Sequence, residues 1–309
     1  MKILITGAGG NLGRAAVPLL RQQGHALRLM DFRPLDVPTA NDIEAVAGDV
    51  RDSAAVRRAM AGMDAVVHAA ALHGIHMGHW SPQDFWDINV SGTFHVFEAA
   101  RLEGVNRVVL CSTMGVYGQS AHPLPDAWNV VTEDLPCLSS DVYGMSKVLC
   151  EEMGRHYGRS AGITTLALRL GMFVPEPTLE RYGFRLLFGG VDDRDVAQAI
   201  ALCLSSETQE RFDAFNVMAE VPFTPEDAAA LQKDPVAVLE QYYPGCTDLF
   251  RSRGINAPEM IWGRTIWSVE KAKQKIGYDP QYSFSGFCHA LTAGGKDYYP
   301  PQGLPWWGV

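Results

Sequence analysis

The chain has 309 residues, 47% of them hydrophobic and 20% charged, which is the composition of an ordinary globular protein with a sizeable core. Its net charge of −9 leaves no basic footprint for nucleic acid or an anionic membrane surface, and no apolar run is long enough to span a bilayer. Six scattered cysteines without a C-x-x-C pair read as small hydrophobes in a reducing compartment. The N-terminus runs straight into a core strand, so the expectation is a cytoplasmic protein without a signal peptide.

Lys2-Ile3-Leu4-Ile5 is too short for a helix and reads as a buried parallel strand. Leu12, Ala15, Ala16, Leu19 and Leu20 then recur at helical spacing, with Gly7-Ala8-Gly9-Gly10-Asn11-Leu12-Gly13 between. Glycines allow a tight turn and close backbone approach, and the helix start offers free N–H groups at the positive end of its dipole. That combination suits a phosphate. A second strand, Ala26 to Met30, ends in Asp31, whose carboxylate can accept from adenosine ribose hydroxyls. Arg33 could pair a 2′-phosphate, but the acid at the strand end repels one, so NAD is expected over NADP.

Ile43 to Ala47 forms a third strand leading to Asp49 and Val50, and a helix runs from Ser53 to Met60. Asp64 to His68 is a fourth strand, followed by Ala69-Ala70-Ala71, small enough for a dinucleotide to lie close. The loop with His73, His76 and His79 lacks interleaved carboxylates or cysteines, so no metal is expected; its histidines bond substrate hydroxyls or simply form loop surface. A long helix over about 82–103 comes next, then a fifth strand, Arg107 to Cys111, delivering Ser112 and Thr113 to the same edge. Tyr143 and Lys147 open another helix at i and i+4, on one face, so the ammonium can lie near the phenol. A sixth strand (163–168), a helix (193–204) and a last strand (214–217) complete an α/β pattern.

Beyond Pro222 prolines and aromatics increase and helices shorten. The expected organisation is a Rossmann-type doubly wound parallel sheet from 1–170 plus 193–218, with a smaller C-terminal substrate lobe from 171–192 plus 219–309. The tail with Tyr298, Tyr299, Trp306 and Trp307 either stacks on a sugar or packs on the lobe or a dimer mate.

Several strings resemble one family. Gly7, Gly10 and Gly13 match the G-x-x-G-x-x-G turn of the extended short-chain dehydrogenases/reductases, Asn89-Val90-Ser91-Gly92-Thr93 their Asn-Val-x-Gly-Thr string, and Ser112 to Gly118 their Ser-x-x-Val-Tyr-Gly stretch. With Tyr143-Gly144-Met145-Ser146-Lys147, the chain resembles the NAD-dependent epimerase/dehydratase family over roughly residues 1–200. The resemblance implies Tyr143 as base, Lys147 as its partner and ribose ligand, and Thr113 as the hydroxyl orienting the substrate oxygen. It also implies cofactor contacts from Asn11, Leu12, Asp49, Val50, Asn89 and Ser112, and a homodimer through helices 82–103 and 143–158.

An Asp-Glu pair follows the catalytic Thr in sugar-nucleotide dehydratases, and Met114-Gly115 stand there instead, which disfavours dehydration. Residues 165–200 resemble the uronate dehydrogenases, and an ungapped alignment on Asp195-Val196 places Arg185 on their carboxylate-binding arginine. His73, Thr113, Met172 and Arg185 are therefore the expected substrate contacts. The implied function is NAD-dependent oxidation of a sugar or sugar-acid carbinol. Epimerisation through a keto intermediate and a non-catalytic NAD sensor are the alternatives.

Overall fold

The structure is a computed structural model that describes residues 1–294 apart from 38–39, 123–127, 174–175, 177 and 262–263. The aromatic tail at 298–307, Pro175 and Pro177 lie outside the described residues.

The strands are β1 (Lys2–Thr6), β2 (Ala26–Asp31), β3 (Ile43–Ala47), β4 (Ala65–His68), β5 (Arg107–Thr113), β6 (Asn129–Val131), β7 (Thr164–Leu170), β8 (Phe212–Val217) and β9 (Thr265–Trp267). Among the described residues, seven of them form one sheet in the order β3-β2-β1-β4-β5-β7-β8. Every pairing in it is parallel. Such a sheet is covered on both faces, so its central strands β1, β4, β5 and β7 are almost wholly buried, while the edge strand β3 stays partly exposed. Along β1, Ile3 and Ile5 point into one core with Leu12, Ala16 and Leu20 of helix Asn11–Gln22 and Val196 and Ile200 of helix Asp193–Ser205. Leu4 points the other way, toward Val56, Val96, Phe97 and Tyr157 on helices Ser53–Met60, Gly92–Glu103 and Val142–Ala161.

The helix expected over 82–103 is three segments: Pro82–Phe85, a π-helical Trp86–Ser91, and Gly92–Glu103. The wide turn falls on Asn89, and such π segments often mark functional positions. β6 and β9 pair with each other in parallel away from the main sheet. Three-residue strands carry no usable periodicity, so the sequence gives no sign of them.

A separate core of Trp128, Phe184, Phe188, Phe223, Leu239, Phe250, Phe284 and Phe287 holds the short C-terminal helices together. Side-chain packing does not follow chain order entirely. Val269, Ala272, Ile276 and Tyr278, from the C-terminal third, join the core under the main sheet. Among the described residues, no helix is long and apolar enough to cross a membrane.

Candidate active site

Strand order reverses between β1 and β4, and in an open parallel sheet that opens a crevice beyond the strands' C-terminal ends. Two adjoining cavities fill it. The larger, about 500 Å³, is lined by the glycine turn, Asp31, Arg33, Asp49, Val50 and Ala69–Ala71. The smaller, about 170 Å³, shares Gly7, Gly10, Ala69 and Ala71 with it and adds Asn11, Leu12, His73, Ser112, Thr113, Tyr143 and Lys147.

The turn after β1 is glycine for a geometric reason. Gly7 has φ +68°, and a Cβ there would stand 2.7 Å from the backbone of Ala70. The third glycine differs: a Cβ on Gly13 would lie 2.3 Å from the Ala8 carbonyl, so it packs the helix against its own turn and lines neither cavity. No side chain caps the helix N-terminus at Gly10, which leaves its first N–H groups to a ligand.

Asp31, only 9% exposed, accepts from the backbone N–H of Gly9 (2.9 Å) and Arg33 (3.1 Å), which fixes its carboxylate in the cavity wall. The Arg33 guanidinium lies over the Phe32 ring at 4.9 Å. Asp49 is held by Arg51 at 2.6 Å, which keeps its carboxyl below the usual range, and the Val50 carbonyl takes the His95 ring at 2.9 Å.

β5 and helix Val142–Ala161 bring the Thr113 and Tyr143 hydroxyls together. Thr113 Oγ1 accepts from the Gly115 N–H at 3.1 Å and so keeps its own proton to donate. Tyr143 is buried, and burial pushes its phenol above the ordinary value while the neighbouring Thr113 hydroxyl pulls it down. Lys147 donates from Nζ to the Cys111 carbonyl at 2.8 Å, which anchors its ammonium at the end of β5 in the wall of the smaller cavity. The His73 ring lies 4.9 Å from that of Tyr143, and burial takes its pKa down to about 4, leaving a neutral imidazole at physiological pH.

Of the expected contacts, Asn89, Met172 and Arg185 line neither cavity, and Ser112 lines the smaller one with its hydroxyl already engaged. The Ser112 hydroxyl donates to Glu151 at 2.7 Å, although its residue lines the smaller cavity. Asn89 is fully buried: it exchanges hydrogen bonds with the Leu72 backbone (2.7 and 3.0 Å) and donates to Ser146 (2.9 Å). Its side chain therefore ties the β4 loop to the Tyr143 helix and does not face the cofactor crevice. Met172 bonds through its backbone to Gly189 and Val191, and its neighbours Gly171 and Phe173 line the cavity in its place. Arg185, 2% exposed, faces Glu176 at 3.5 Å and the Tyr182 ring at 5.4 Å, outside the walls of both cavities.

The sequence reading also missed a buried scaffold. Glu151 lies one turn beyond Lys147 and two beyond Tyr143, a helical spacing that could have flagged it. It accepts both Ser112 and a two-pronged Arg169 guanidinium (3.1 and 2.8 Å), and Arg169 reaches on to Tyr117 at 2.9 Å. Beneath the crevice, His68 joins the Thr6 hydroxyl (2.7 Å) to that of Thr93 (2.9 Å). Among the described residues, no group of three or more His, Cys, Asp or Glu is placed to hold a metal ion.

Comparison with known proteins agrees with this geometry. The model of the NAD dependent epimerase/dehydratase family matches residues 3–176. The chain belongs to that family. A uronate dehydrogenase of Pseudomonas putida is 31% identical over 179 residues, 57% of this chain and 62% of the relative, so the match spans less than two thirds of that protein. A UDP-glucose 4-epimerase of Corynebacterium glutamicum is 30% identical over 324 residues, 92% of each chain. A glucuronic acid dehydrogenase from Chromohalobacter salexigens shares the fold, with a TM-score of 0.69 over 96% of this chain and 90% of that one at 20% identity.

The crevice fits the family's dinucleotide: a glycine turn that admits no Cβ, an uncapped helix start and a fixed carboxylate 22 residues beyond Gly9 stand where pyrophosphate and ribose are needed.

Proposed function

We propose that the chain is an NAD-dependent oxidoreductase acting on a carbinol carbon of a sugar or sugar acid. The observation that carries this reading is that Thr113, Tyr143 and Lys147 share one small cavity with the glycine turn. Gly7, Gly10, Asn11 and Leu12 take the pyrophosphate side; Asp31 takes the ribose hydroxyls and excludes a 2′-phosphate; Asp49 and Val50 border the base. NAD supplies the hydride acceptor and, when bound, a positive ring whose field favours phenolate. Tyr143 takes the hydroxyl proton as the hydride leaves the same carbon. Thr113 donates to the substrate oxygen and holds it against the phenol. Lys147, on the same helix face, steadies the Cys111 strand end and lies within the cavity for the nicotinamide ribose.

Epimerisation is the second reading, favoured by the epimerase that matches 92% of both chains. It differs only in whether the keto product is reduced again before leaving. Following NADH formation with D-glucuronate, D-glucose and UDP-glucose, with epimer analysis of the products, separates the two. Net NADH supports the dehydrogenase, and an epimer without NADH supports the epimerase.

We also propose a homodimer. Trp86 (46% exposed), Phe94 (47%), Leu102 (48%) and Met145 (44%) are large apolar side chains left open on helices 82–103 and 142–161. Light scattering gives the mass that tests this. Six free thiols are consistent with a reducing, cytoplasmic setting.

A further inference from the structure

A run of hydrogen bonds links the wall of the Asp31 cavity to the Tyr143 helix. Ala70, in that wall, donates its backbone N–H to Thr6 Oγ1 at 3.3 Å. Thr6 Oγ1 meets His68 Nδ1 at 2.7 Å, and His68 Nε2 meets Thr93 Oγ1 at 2.9 Å. Thr93 donates to the Asn89 carbonyl, Asn89 Nδ2 to Ser146 Oγ (2.9 Å), and Ser146 to the Tyr143 carbonyl (2.7 Å). Cys150, one turn beyond Ser146, donates to the same Asn89 carbonyl at 3.3 Å.

The distances also fix the direction of each bond. Thr93 Oγ1 and the Asn89 oxygen stand 2.5 Å apart, which requires a proton between them. The Thr93 proton is thus spent on Asn89, and His68 must donate to Thr93 from Nε2. Burial holds His68 neutral, taking its pKa to about 3, and a neutral imidazole carries one N–H. Nδ1 therefore accepts, and Thr6 is its donor. Every proton points from the cofactor side toward the Tyr143 helix. Reversing His68 alone would set two donors against each other at Thr6 and two acceptors at Thr93.

The walls of both cavities are formed without Thr6 and His68, so these side chains can act only through others. At one end the glycine turn is locked to the same wall, since a Cβ on Gly7 would stand 2.7 Å from the Ala70 backbone. At the other, Ser146 and Cys150 flank Lys147 within helix Val142–Ala161. Oxidation sends a hydride to the dinucleotide and a proton to Tyr143 from one carbinol, so their relative placement sets the rate. We infer that His68 is a positioning residue: through Thr6 on one side and Thr93, Asn89 and Ser146 on the other, it holds the Tyr143 phenol in register with the dinucleotide. The inference rests on the NAD-oxidoreductase reading.

The test breaks the chain without touching either cavity wall. Thr6→Val keeps the side chain's shape and removes its hydroxyl, Thr6→Ser keeps the hydroxyl, and His68→Phe removes both ring bonds. The measurements are kcat and KM with NAD for D-glucuronate, D-glucose or UDP-glucose, whichever the wild type turns over. Alongside them come the isotope effect of deuterium at the reacting carbon, NADH affinity by fluorescence titration, and the urea midpoint. In Thr6→Val and His68→Phe, kcat should fall about tenfold or more and the isotope effect should rise, with KM and NADH affinity within about twofold of wild type. Thr6→Ser should recover most of the rate, and the Thr6→Val/His68→Phe double variant should lose no more than His68→Phe alone. A lower urea midpoint with kcat and isotope effect unchanged makes the chain a brace of the fold and overturns the inference. A loss in Thr6→Ser equal to that in Thr6→Val overturns it too, because the hydroxyl is then not the agent. If His68→Phe does not fold, the two Thr6 variants decide the matter by themselves. Wild-type protein that binds NADH but turns over none of the three sugars overturns the proposed activity and the inference with it.

Discussion

The Asp31 cavity takes its walls mainly from residues 7–14, 30–37, 48–51 and 69–72, short stretches at or just beyond the ends of neighbouring strands. The Tyr143 cavity draws on the β1 turn, the histidine loop, the end of β5, the helix at Val142 and the end of β7, and its working parts are side chains. One is shaped by where a chain turns. The other is shaped by what holds separate segments in register, chiefly the Glu151–Arg169 pair and Asn89. A turn-built site tolerates change in distant side chains, whereas an assembled site depends on buried polar groups that do no chemistry.

The largest expected effect tests that dependence. Arg169 and Glu151 are 2% and 1% exposed, so removing Arg169 leaves a buried carboxylate without its two-pronged partner, with only Ser112 and a more distant Arg155 at 3.8 Å beside it. Arg169→Leu should cost about 3–5 kcal/mol of unfolding free energy, read from the urea midpoint. Arg169→Met combined with Glu151→Leu should recover most of that loss. If the single variant is as stable as the wild type, the Tyr143 cavity does not rest on this pair and the contrast fails.

Next comes the chemistry itself. Tyr143→Phe should lower kcat about a hundredfold or more, with NAD affinity barely changed, because the phenol enters only the proton transfer. NAD titration of the variant reads the Asp31 cavity while turnover reads the other. A variant that keeps near-full activity removes Tyr143 from the proposed role.

A third measurement probes the buried His68 at the end of β4, next to the Ala69–Ala71 wall. Burial takes the His68 pKa down to about 3, against an ordinary value of 6.5. The unfolded chain therefore binds a proton that the folded chain refuses between those values, and stability falls as pH drops through this window. From pH 7 to pH 5 this one group should remove about 2 kcal/mol. His68→Gln should flatten the slope of stability against pH over that range. An unchanged slope means that His68 is not the proton-refusing group.

The same contrast governs what could be read from sequence. Gly7, Asp31 and the alanines after β4 announce themselves because each sits in a short string whose strand, turn and helix signals are local. Tyr143 and Lys147 were legible as an i, i+4 pair and line the same cavity, whereas the bond that anchors the lysine on the Cys111 carbonyl, 36 residues away, had no local signal. Arg169, Glu151 and His68 were opaque as a set, since their partners lie 18 to 52 residues away for Arg169 and 25 to 62 for His68. Arg185 shows the limit of ungapped alignment. Its position in the chain is compatible with a substrate anchor, while its guanidinium packs beside Tyr182 and Glu176 and lines neither cavity.

The smallest effect belongs to the turn-built half. Asp31 is fixed by two backbone N–H groups before any ligand arrives, so its charge faces whatever occupies the ribose position. A 2′-phosphate there would meet a carboxylate that cannot rotate away, and Arg33, drawn over the Phe32 ring, offers no compensating contact in this arrangement. NAD should accordingly bind more than tenfold tighter than NADP, a difference above about 1.4 kcal/mol. Asp31→Asn keeps the size of the side chain and removes the charge, so it should narrow that ratio by raising NADP affinity more than it lowers that of NAD. Fluorescence titration with both reduced nucleotides gives the ratio directly. Equal affinities in the wild type would mean that Arg33 leaves Phe32 to take the phosphate, and the cavity would then be adaptable in its side chains, like the Tyr143 cavity, and not fixed by its turn.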